Sequence, residues 1–186
     1  MEKMEHAAPV VSYKGEMDCV DGKYWLLNLD MVESQTGRII EKTMFSSNEI
    51  GISTTTFSKD NVLYSKLRPY LNKVVLPESN GYCTTEILPL LPNKRLNKVF
   101  LAELLKGAEF VKYIQEQVAG TKMPRVQMTT FRNFQVILPP IELQNRFAGF
   151  VRQVDKSKFE LTRGLSKLEL LYKSLMQKCF RGELYA

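Results

Sequence analysis

The chain has 186 residues, of which 44% are hydrophobic and 25% charged, an ordinary composition for a globular protein. Its formal net charge of +6 favours a polyanionic partner without requiring one. The apolar stretches are far shorter than the roughly 20 residues of a membrane-spanning helix, and the charged start does not resemble a secretory signal. We therefore expect a cytoplasmic protein without membrane contact. The three cysteines are widely separated, which predicts reduced thiols rather than disulfides or a zinc site.

Residues 1–140 predict a mixed domain of strands and helices that begins with a flexible leader at residues 1–10. From residue 11 the pattern is typical of short β-strands bounded by turns, one of them at residues 34–37. Helical spacing follows between Val99 and Val118, with a bend expected at Gly107. The strand candidates are residues 24–30, 61–67, 70–76, 82–91 and 134–138.

A long helix is predicted at residues 141–180, after the extended backbone that Pro139 and Pro140 impose, and residues 181–186 form a tail. Such a helix is about 55–60 Å long, more than the width of a domain of this size, so its apolar stripe needs a partner helix. The stripe alternates steps of four and three, and its single misfit, Lys158, is expected to set the register or to extend out of the seam. The dimerisation residues predicted from this spacing are Phe147, Val151, Val154, Leu161, Leu165, Leu168, Tyr172 and Leu175.

The motifs of common enzyme active sites are missing from the sequence. The single histidine, His6, lies in the predicted leader, so a Ser–His–Asp or Cys–His arrangement has no credible base. The phosphate-binding loop, the Gly-x-Gly-x-x-Gly fingerprint and the Asn/Asp-Pro-Pro-Tyr/Phe signature of adenine methyltransferases do not occur. These observations predict a non-catalytic protein that holds no metal or cofactor of its own.

Three basic segments combine lysine and arginine with amides and aromatic residues, at residues 64–73, 93–98 and 121–132. Lysine and arginine neutralise phosphates, whereas arginine, asparagine and glutamine read base edges. Composition leaves DNA contact and ordinary solvated surface equally open for the first and third segments. For Lys94, Arg95 and Lys98 in the second, it favours solvated surface.

Several segments together resemble the specificity subunit of a type I restriction–modification system, over essentially the whole chain. The most specific of them joins a strand, a proline pair and the start of a helix. The matching segments are residues 62–74, 84–90, 120–125, 134–147 and 168–184. The resemblance implies an α+β fold, in which a mixed α/β target recognition domain at residues 11–140 precedes a long C-terminal coiled-coil helix at residues 141–180.

Members of this family usually carry two target recognition domains, each followed by a helix, and the two helices pair antiparallel as a spacer. This chain has one of each, so it resembles a half-length form, natural or truncated, that would dimerise. The resemblance implies a non-catalytic, sequence-specific subunit that reads one half-site of double-stranded DNA per domain. Modification (methyltransferase) and restriction subunits would be its partners, and S-adenosylmethionine, ATP and Mg would belong to them.

The candidate DNA contacts come from the first and third basic segments, although the same positions could instead hold the scaffold. Lys66, Lys73 and Lys122 are candidate phosphate contacts. The candidate base readers are Arg68, Arg125 and Gln127, and Tyr70 is a further candidate contact. The alternative function is a protein-interaction adaptor that dimerises through the coiled coil and does not bind DNA. A stand-alone nuclease or methyltransferase is least favoured.

Overall fold

The structure is a computed structural model, and it describes residues 1–51, 53–117 and 124–183. The chain divides into two compact units, Met1–Asn145 and Arg146–Ala186. The first unit combines sheets with short helices, and the second consists mainly of one long helix. The α+β class and the long C-terminal helix are therefore confirmed.

The secondary structure of the described residues follows the predicted order, with shorter strands. The strands are β1 (Glu2–Lys3), β2 (Cys19–Val20), β3 (Lys23–Leu27), β4 (Met44–Ser46), β5 (Thr54–Phe57), β6 (Val62–Ser65), β7 (Val74–Val75), β8 (Gly81–Thr84), β9 (Ile87–Leu90) and β10 (Gln135–Val136). The helices are α1 (Met4–Ala7), α2 (Lys98–Lys106), α3 (Ala108–Glu116), α4 (Met128–Asn133) and α5 (Ile141–Phe180).

A small antiparallel sheet in the order β7-β6-β9 lies at the centre of the first unit and is buried on both faces. Successive side chains of a strand point to opposite faces, so Val62 and Tyr64 pack into one core cluster and Leu63 packs into another. Helical residues such as Phe110 fill the first cluster, and residues of the second sheet such as Trp25 fill the other. The continuous apolar run of β6 follows from this burial on both faces.

The second sheet has the order β2-β3-β8-β5, with β4 also paired to β3. Strands β3 and β8 are parallel, whereas the other pairs are antiparallel. The prediction of one strand over residues 82–91 is wrong, because a turn at Thr85 and Glu86 separates β8 from β9. The chain changes sheets at this turn: β8 pairs with β3 and β5, and β9 pairs with β6.

The prediction of a flexible leader at residues 1–10 is also wrong. Strand β1 pairs with β10, and the Met4 amide donates to the carbonyl oxygen of Phe134 at 2.9 Å. Met4, Ala7 and Ala8 are buried in the core cluster that the helices share. These apolar side chains bury surface from water, which offsets the entropic cost of ordering the segment.

The predicted helical region folds as α2 and α3, and the bend expected at Gly107 is confirmed. Gly107 has extended backbone angles, φ −63° and ψ 145°, between the two helices. The Asn97 side chain caps α2 by accepting from the amides of Val99 and Phe100. The two helices cover the aromatic face of the central sheet.

Helix α5 spans Ile141–Phe180, as predicted, and its 40 residues give a length of about 60 Å. From Leu161 to Leu175 its predicted seam is open to solvent in the single chain. Leu161, Leu165 and Leu168 are 73%, 59% and 65% exposed. In the part of the chain that the structure describes, no helix is long and apolar enough to cross a membrane.

Candidate nucleic-acid interface

Two distant segments of the first unit run side by side and bring three candidate contact residues together. The Arg68 amide donates to the carbonyl oxygen of Pro124 at 2.8 Å, and the Val126 amide donates to that of Lys66 at 2.9 Å. Leu67 and Arg125 form the antiparallel bridge between these bonds. Lys66, Arg68 and Arg125 therefore belong to one short ribbon, which we call the basic ribbon and define as residues 66–68 and 124–126.

The basic ribbon continues into a strained turn that separates outward from inward side chains. Arg68 and Asn72 both have a φ of +49°, and a turn of 3₁₀ helix at Pro69–Leu71 lies between them. Such left-handed conformations are costly for residues with a side chain and persist where the surroundings impose them. Arg68 and Tyr70 are exposed, whereas Asn72 is buried and its amide group donates to the carbonyl oxygen of Lys106 at 3.0 Å.

This turn replaces most of the strand predicted at residues 70–76, of which only Val74–Val75 forms β7. Asn72 explains the difference, because its left-handed backbone, with a φ of +49°, interrupts the extended conformation that a strand requires. Tyr70 is 44% exposed on the resulting turn.

Arg125 is oriented by a carboxylate. Its Nε lies 3.3 Å from Oε2 of Glu86, and the Lys66 amide donates to the carbonyl oxygen of the same residue at 2.9 Å. The Arg125 side chain remains 58% exposed. Exposed ion pairs of this kind contribute about 0–1 kcal/mol, so the guanidinium is directed by Glu86 and still accessible to a ligand.

Lys73 lies in the same sequence segment but directs its ammonium group into the protein. Its Nζ donates to the carbonyl oxygen of Leu29 at 2.6 Å. Burial lowers the pKa of this ammonium group, and the nearby Asp30 carboxylate opposes that shift. The Lys73 ammonium group is therefore bound to the protein backbone, whereas Arg68 and Arg125 of the basic ribbon are exposed.

A loop that sequence reasoning did not single out as a contact element lies against the strained turn. The Gln35 amide donates to the carbonyl oxygen of Leu71, and Gln35 Nε2 donates to that of Tyr70, both at 2.9 Å. Gly37 has a φ of +70°, and a Cβ atom there would overlap the carbonyl oxygen of Val74. The close approach of this loop to Val74 therefore requires glycine at position 37. The sequence signal for this loop was the turn predicted at residues 34–37.

Charges within this loop are paired. Thr36 Oγ1 donates to Glu33 Oε2 at 2.6 Å, and Arg38 lies 3.1 Å from Glu33 Oε1. The hydrogen bond from Thr36, followed by the charge of Arg38, holds the pKa of the Glu33 carboxyl below its usual value. The loop therefore carries an ion pair at neutral pH beside the exposed Tyr70.

The remaining predicted contacts lie at the end of the basic ribbon or outside the described residues. Gln127 is exposed and occupies the position immediately before α4. Lys122 lies outside the described residues. In the second basic segment, Arg95 lies 3.8 Å from Glu2, and Lys98 Nζ donates to the carbonyl oxygen of Lys59 at 2.9 Å.

Titratable residues do not gather into a metal-binding group within the described ranges 1–51, 53–117 and 124–183. The three cysteines are free, with Cys19 and Cys179 exposed and Cys83 buried. Burial raises the pKa of the Cys83 thiol to about 12, which keeps it protonated and unreactive at neutral pH.

Two curated proteins with similar sequences are specificity subunits. The type I restriction enzyme EcoDI specificity subunit of Escherichia coli is 25% identical over 159 residues, which are 83% of this chain and 35% of that protein. The MjaVIII specificity subunit of Methanocaldococcus jannaschii is 28% identical over 88 residues, which are 47% of this chain and 20% of that protein. The chain thus spans about a third or less of the curated relatives that it matches.

Solved structures show the same fold at low sequence identity. The HsdS subunit from Thermoanaerobacter tengcongensis gives a TM-score of 0.64 at 21% identity, covering 76% of this chain and 38% of that one. A chain from a study of complex assembly and conformational transition of the type I R-M system gives 0.66 at 18% identity, covering 96% and 47%. The S subunit from M. genitalium gives 0.54 at 16% identity, covering 83% and 38%.

The family model described as the type I restriction modification DNA specificity domain matches residues 43–170. This match covers well over half of the chain and includes the basic ribbon and most of α5. The chain therefore belongs to the type I restriction modification DNA specificity domain family.

Proposed function

We propose that this protein is the non-catalytic DNA-recognition subunit of a type I restriction–modification complex, and that its first unit reads one half-site of double-stranded DNA. The observation that carries the proposal is the basic ribbon, which brings the backbones of Lys66, Arg68 and Arg125 together from segments far apart in sequence. Arg68 and Arg125 are exposed and Lys66 is half-buried. Such cations suit a phosphate backbone, and arginine also suits the major-groove edge of guanine. The family of the chain supports the same function.

Different residues of the interface would do different work. Lys66 is a phosphate contact, because an ammonium group carries charge without the geometry of a base reader. Arg125 is the leading base reader, since its guanidinium is exposed and oriented by Glu86 before DNA arrives. Arg68 and Gln127 are additional readers, and Tyr70 contacts DNA from the strained turn. Lys122 is a further candidate phosphate contact.

Two chains would pair through the seam of α5, which forms a coiled coil in this proposal. The exposed leucines at the centre of α5 support it, because a stripe of this length is stabilised when a second helix covers it. A homodimer with two-fold symmetry presents identical domains in opposite sense, so its target is an interrupted palindrome. The length of the paired helices sets the distance between half-sites.

Catalysis would belong to partner subunits in the cytoplasm. A modification subunit with S-adenosylmethionine would methylate adenine, and a restriction subunit with ATP and Mg would cleave. This chain needs no cofactor in that arrangement. Co-expression with a type I modification subunit, followed by mapping of methylated adenines, yields the target, and we expect a symmetric two-part motif.

The interface is tested by replacing Arg125 with alanine and measuring binding to a fluorescein-labelled duplex that contains the mapped motif. We expect affinity to fall by about 1–3 kcal/mol and discrimination to relax at one base pair. Lys112→Ala is the matched control: it also removes one positive charge, and Lys112 is a 78% exposed residue on α3. Its binding should equal that of the unmodified chain.

Salt dependence separates DNA recognition from the adaptor function. For a mixed-sequence duplex, the logarithm of affinity should fall with the logarithm of salt concentration by about 0.9 per phosphate contacted. Lys66→Ala should reduce that slope by about one contact. Binding that ignores both salt and Lys66 would overturn the proposal in favour of an adaptor.

A further inference from the structure

Gln35 holds its side-chain amide at the surface in one orientation beside the strained turn. Its Nε2 donates to the carbonyl oxygen of Tyr70 at 2.9 Å. Because a carbonyl oxygen only accepts hydrogen bonds, the nitrogen of the amide, and not its oxygen, faces the turn. Within the described ranges 1–51, 53–117 and 124–183, no hydrogen bond engages the second N–H or Oε1 of this exposed residue. One donor and one acceptor are therefore available to a ligand.

We propose that Gln35 reads an adenine base in the major groove of the half-site. The free donor and acceptor of its amide match the N7 acceptor and the N6 amino donor that adenine presents there. Guanine presents two acceptors in the same place, N7 and O6, so the amide oxygen would face a second oxygen and lose its partner. The proposal rests on the DNA-recognition function proposed above and deepens it by naming a residue and the base that it selects.

The backbone of Gln35 is fixed as well as its side chain. Its φ of +69° is left-handed, a conformation that is costly for a residue with a side chain and persists where neighbouring contacts impose it. The backbone amide of Gln35 donates to the carbonyl oxygen of Leu71 at 2.9 Å, and that of Gly37 donates to the carbonyl oxygen of Glu33 at 3.1 Å. The side-chain amide thus meets a ligand with little conformational entropy left to lose, which favours selective binding.

Gln35 lies beside residues that already belong to the proposed interface. Tyr70, which accepts from its side chain, is exposed, and the turn at Pro69–Leu71 follows directly after Arg68. The backbone amide of Arg68 donates to the carbonyl oxygen of Pro124 in the basic ribbon at 2.8 Å. Hydrogen bonds and adjacent residues thus connect Gln35 to the basic ribbon, so a duplex that contacts Arg68 and Tyr70 would also meet Gln35.

The charge of the loop favours a base edge over a phosphate as the target of Gln35. Arg38 lies 3.1 Å from Glu33, and Thr36 also donates to that carboxylate at 2.6 Å. This ion pair brings no net charge to the duplex, and the Glu33 carboxylate would repel a phosphate brought close to it. The neutral amide of Gln35 therefore suits a base edge, whereas the cations of the basic ribbon supply the phosphate contacts.

Replacing single atoms of the DNA tests the contact directly. Each adenine of the mapped motif is replaced in turn by 7-deazaadenine, an analogue that keeps Watson–Crick pairing and lacks the N7 acceptor, and binding of the full-length chain is measured. We expect one adenine whose replacement weakens binding about 3- to 10-fold, because one hydrogen bond is lost. Gln35→Ala should bind the intact motif about 5- to 150-fold more weakly, and replacing that adenine should then cause no further loss.

Two further variants separate base reading from support of the turn. Gln35→Gly removes the amide and permits the left-handed backbone without strain, so it should behave like Gln35→Ala. Gln135→Ala is the matched control, because Gln135 is also exposed and its Nε2 also donates to a backbone carbonyl oxygen, that of Asn133 at 3.5 Å. Its affinity and its response to the analogue should equal those of the unmodified chain. If Gln35→Ala responds to the analogue as strongly as the unmodified chain does, Gln35 only supports the turn and the inference is overturned.

Arg125→Ala separates failure of this inference from failure of the proposed function. If the unmodified chain binds the motif and Arg125→Ala weakens that binding, but no adenine depends on Gln35, the inference alone is overturned. If the unmodified chain binds the motif no more tightly than a mixed-sequence duplex, the proposed DNA recognition is overturned together with it. The expected result is that Arg125→Ala relaxes discrimination at one base pair and Gln35→Ala relaxes it at a different one, which contains adenine.

Discussion

The two units of this protein place their apolar side chains in opposite environments. In the first unit Tyr64, Phe110 and Phe131 are almost completely buried, whereas Leu161 and Leu165 in the second unit are mostly exposed. The first unit thus gains its hydrophobic stabilisation within one chain. In the proposed dimer the second unit would gain it when another helix covers the seam, so its stability should depend on protein concentration. We therefore propose that the exposed apolar residues of α5 form a surface for association, whereas the buried apolar residues before α5 form a core.

The largest expected loss of stability comes from replacing an aromatic residue in the core of the first unit. Phe131 stacks on Tyr64 with ring centroids 5.3 Å apart and meets Phe110 edge to face at 6.0 Å. Phe131→Ala should lower the free energy of unfolding of the first unit by about 3–5 kcal/mol, because it leaves a cavity between these rings. Urea unfolding followed by circular dichroism measures the loss.

Phe159→Ala is the matched control for that variant. Phe159 is 68% exposed on α5 and lies outside the predicted seam, so the free energy of unfolding should change by less than about 0.5 kcal/mol. Similar losses for Phe131→Ala and Phe159→Ala would contradict the division into a core and an association surface.

A smaller loss of stability is expected from a substitution of Gln144, which lies next to the end of the first unit. Gln144 is fully buried in the first turns of α5, yet it belongs to the first unit. Its Oε1 accepts from the Asn97 amide at 2.9 Å, and its Nε2 donates to the carbonyl oxygens of Arg95 at 2.9 Å and Pro139 at 2.7 Å. Gln144→Ala should cost about 2–3 kcal/mol of unfolding free energy, because it leaves these backbone groups without a partner.

Asn145→Ala controls for the position within the helix. Asn145 accepts one exposed hydrogen bond from the Asn97 side chain at 2.8 Å, so its loss should cost less than about 1 kcal/mol. Thermal unfolding of both variants tests the difference. If the two variants lose equal stability, the boundary between the units does not depend on the buried amide of Gln144.

Features that depend on local spacing could be predicted from the sequence. The period of the apolar residues predicted α2, α3 and α5, and the proline pair located the start of α5 at Ile141. Gly107 indicated the bend between α2 and α3, because the effect of glycine on the backbone is local. These signals need no knowledge of the remainder of the chain.

Features that depend on distant contacts could not be predicted. Residues 1–10 are ordered rather than flexible because β1 pairs with β10, which lies near the other end of the first unit in sequence. The basic ribbon depends on Leu67 meeting Arg125, and nothing in either segment identifies the other. Lys73 resembles a phosphate contact in sequence, and its hydrogen bond to the carbonyl oxygen of Leu29 becomes visible in three dimensions. Composition selected the candidate residues, and tertiary pairing decides which of them share a surface.

The smallest expected effect is a difference in reactivity among the three cysteines, which the sequence alone did not distinguish. Burial raises the pKa of Cys83 to about 12, whereas Cys19 and Cys179 are exposed, one in each unit. At pH 8 iodoacetamide should add two groups to the folded chain, detected by mass spectrometry, and a third after unfolding. Rapid addition of three groups to the folded chain would show that the core around Cys83 opens without global unfolding.

The raised pKa of Cys83 also makes the stability of the fold depend on pH. Because the unfolded thiol ionises near pH 9, Cys83 stabilises the fold fully below that pH, and this contribution is lost as the pH rises towards 12.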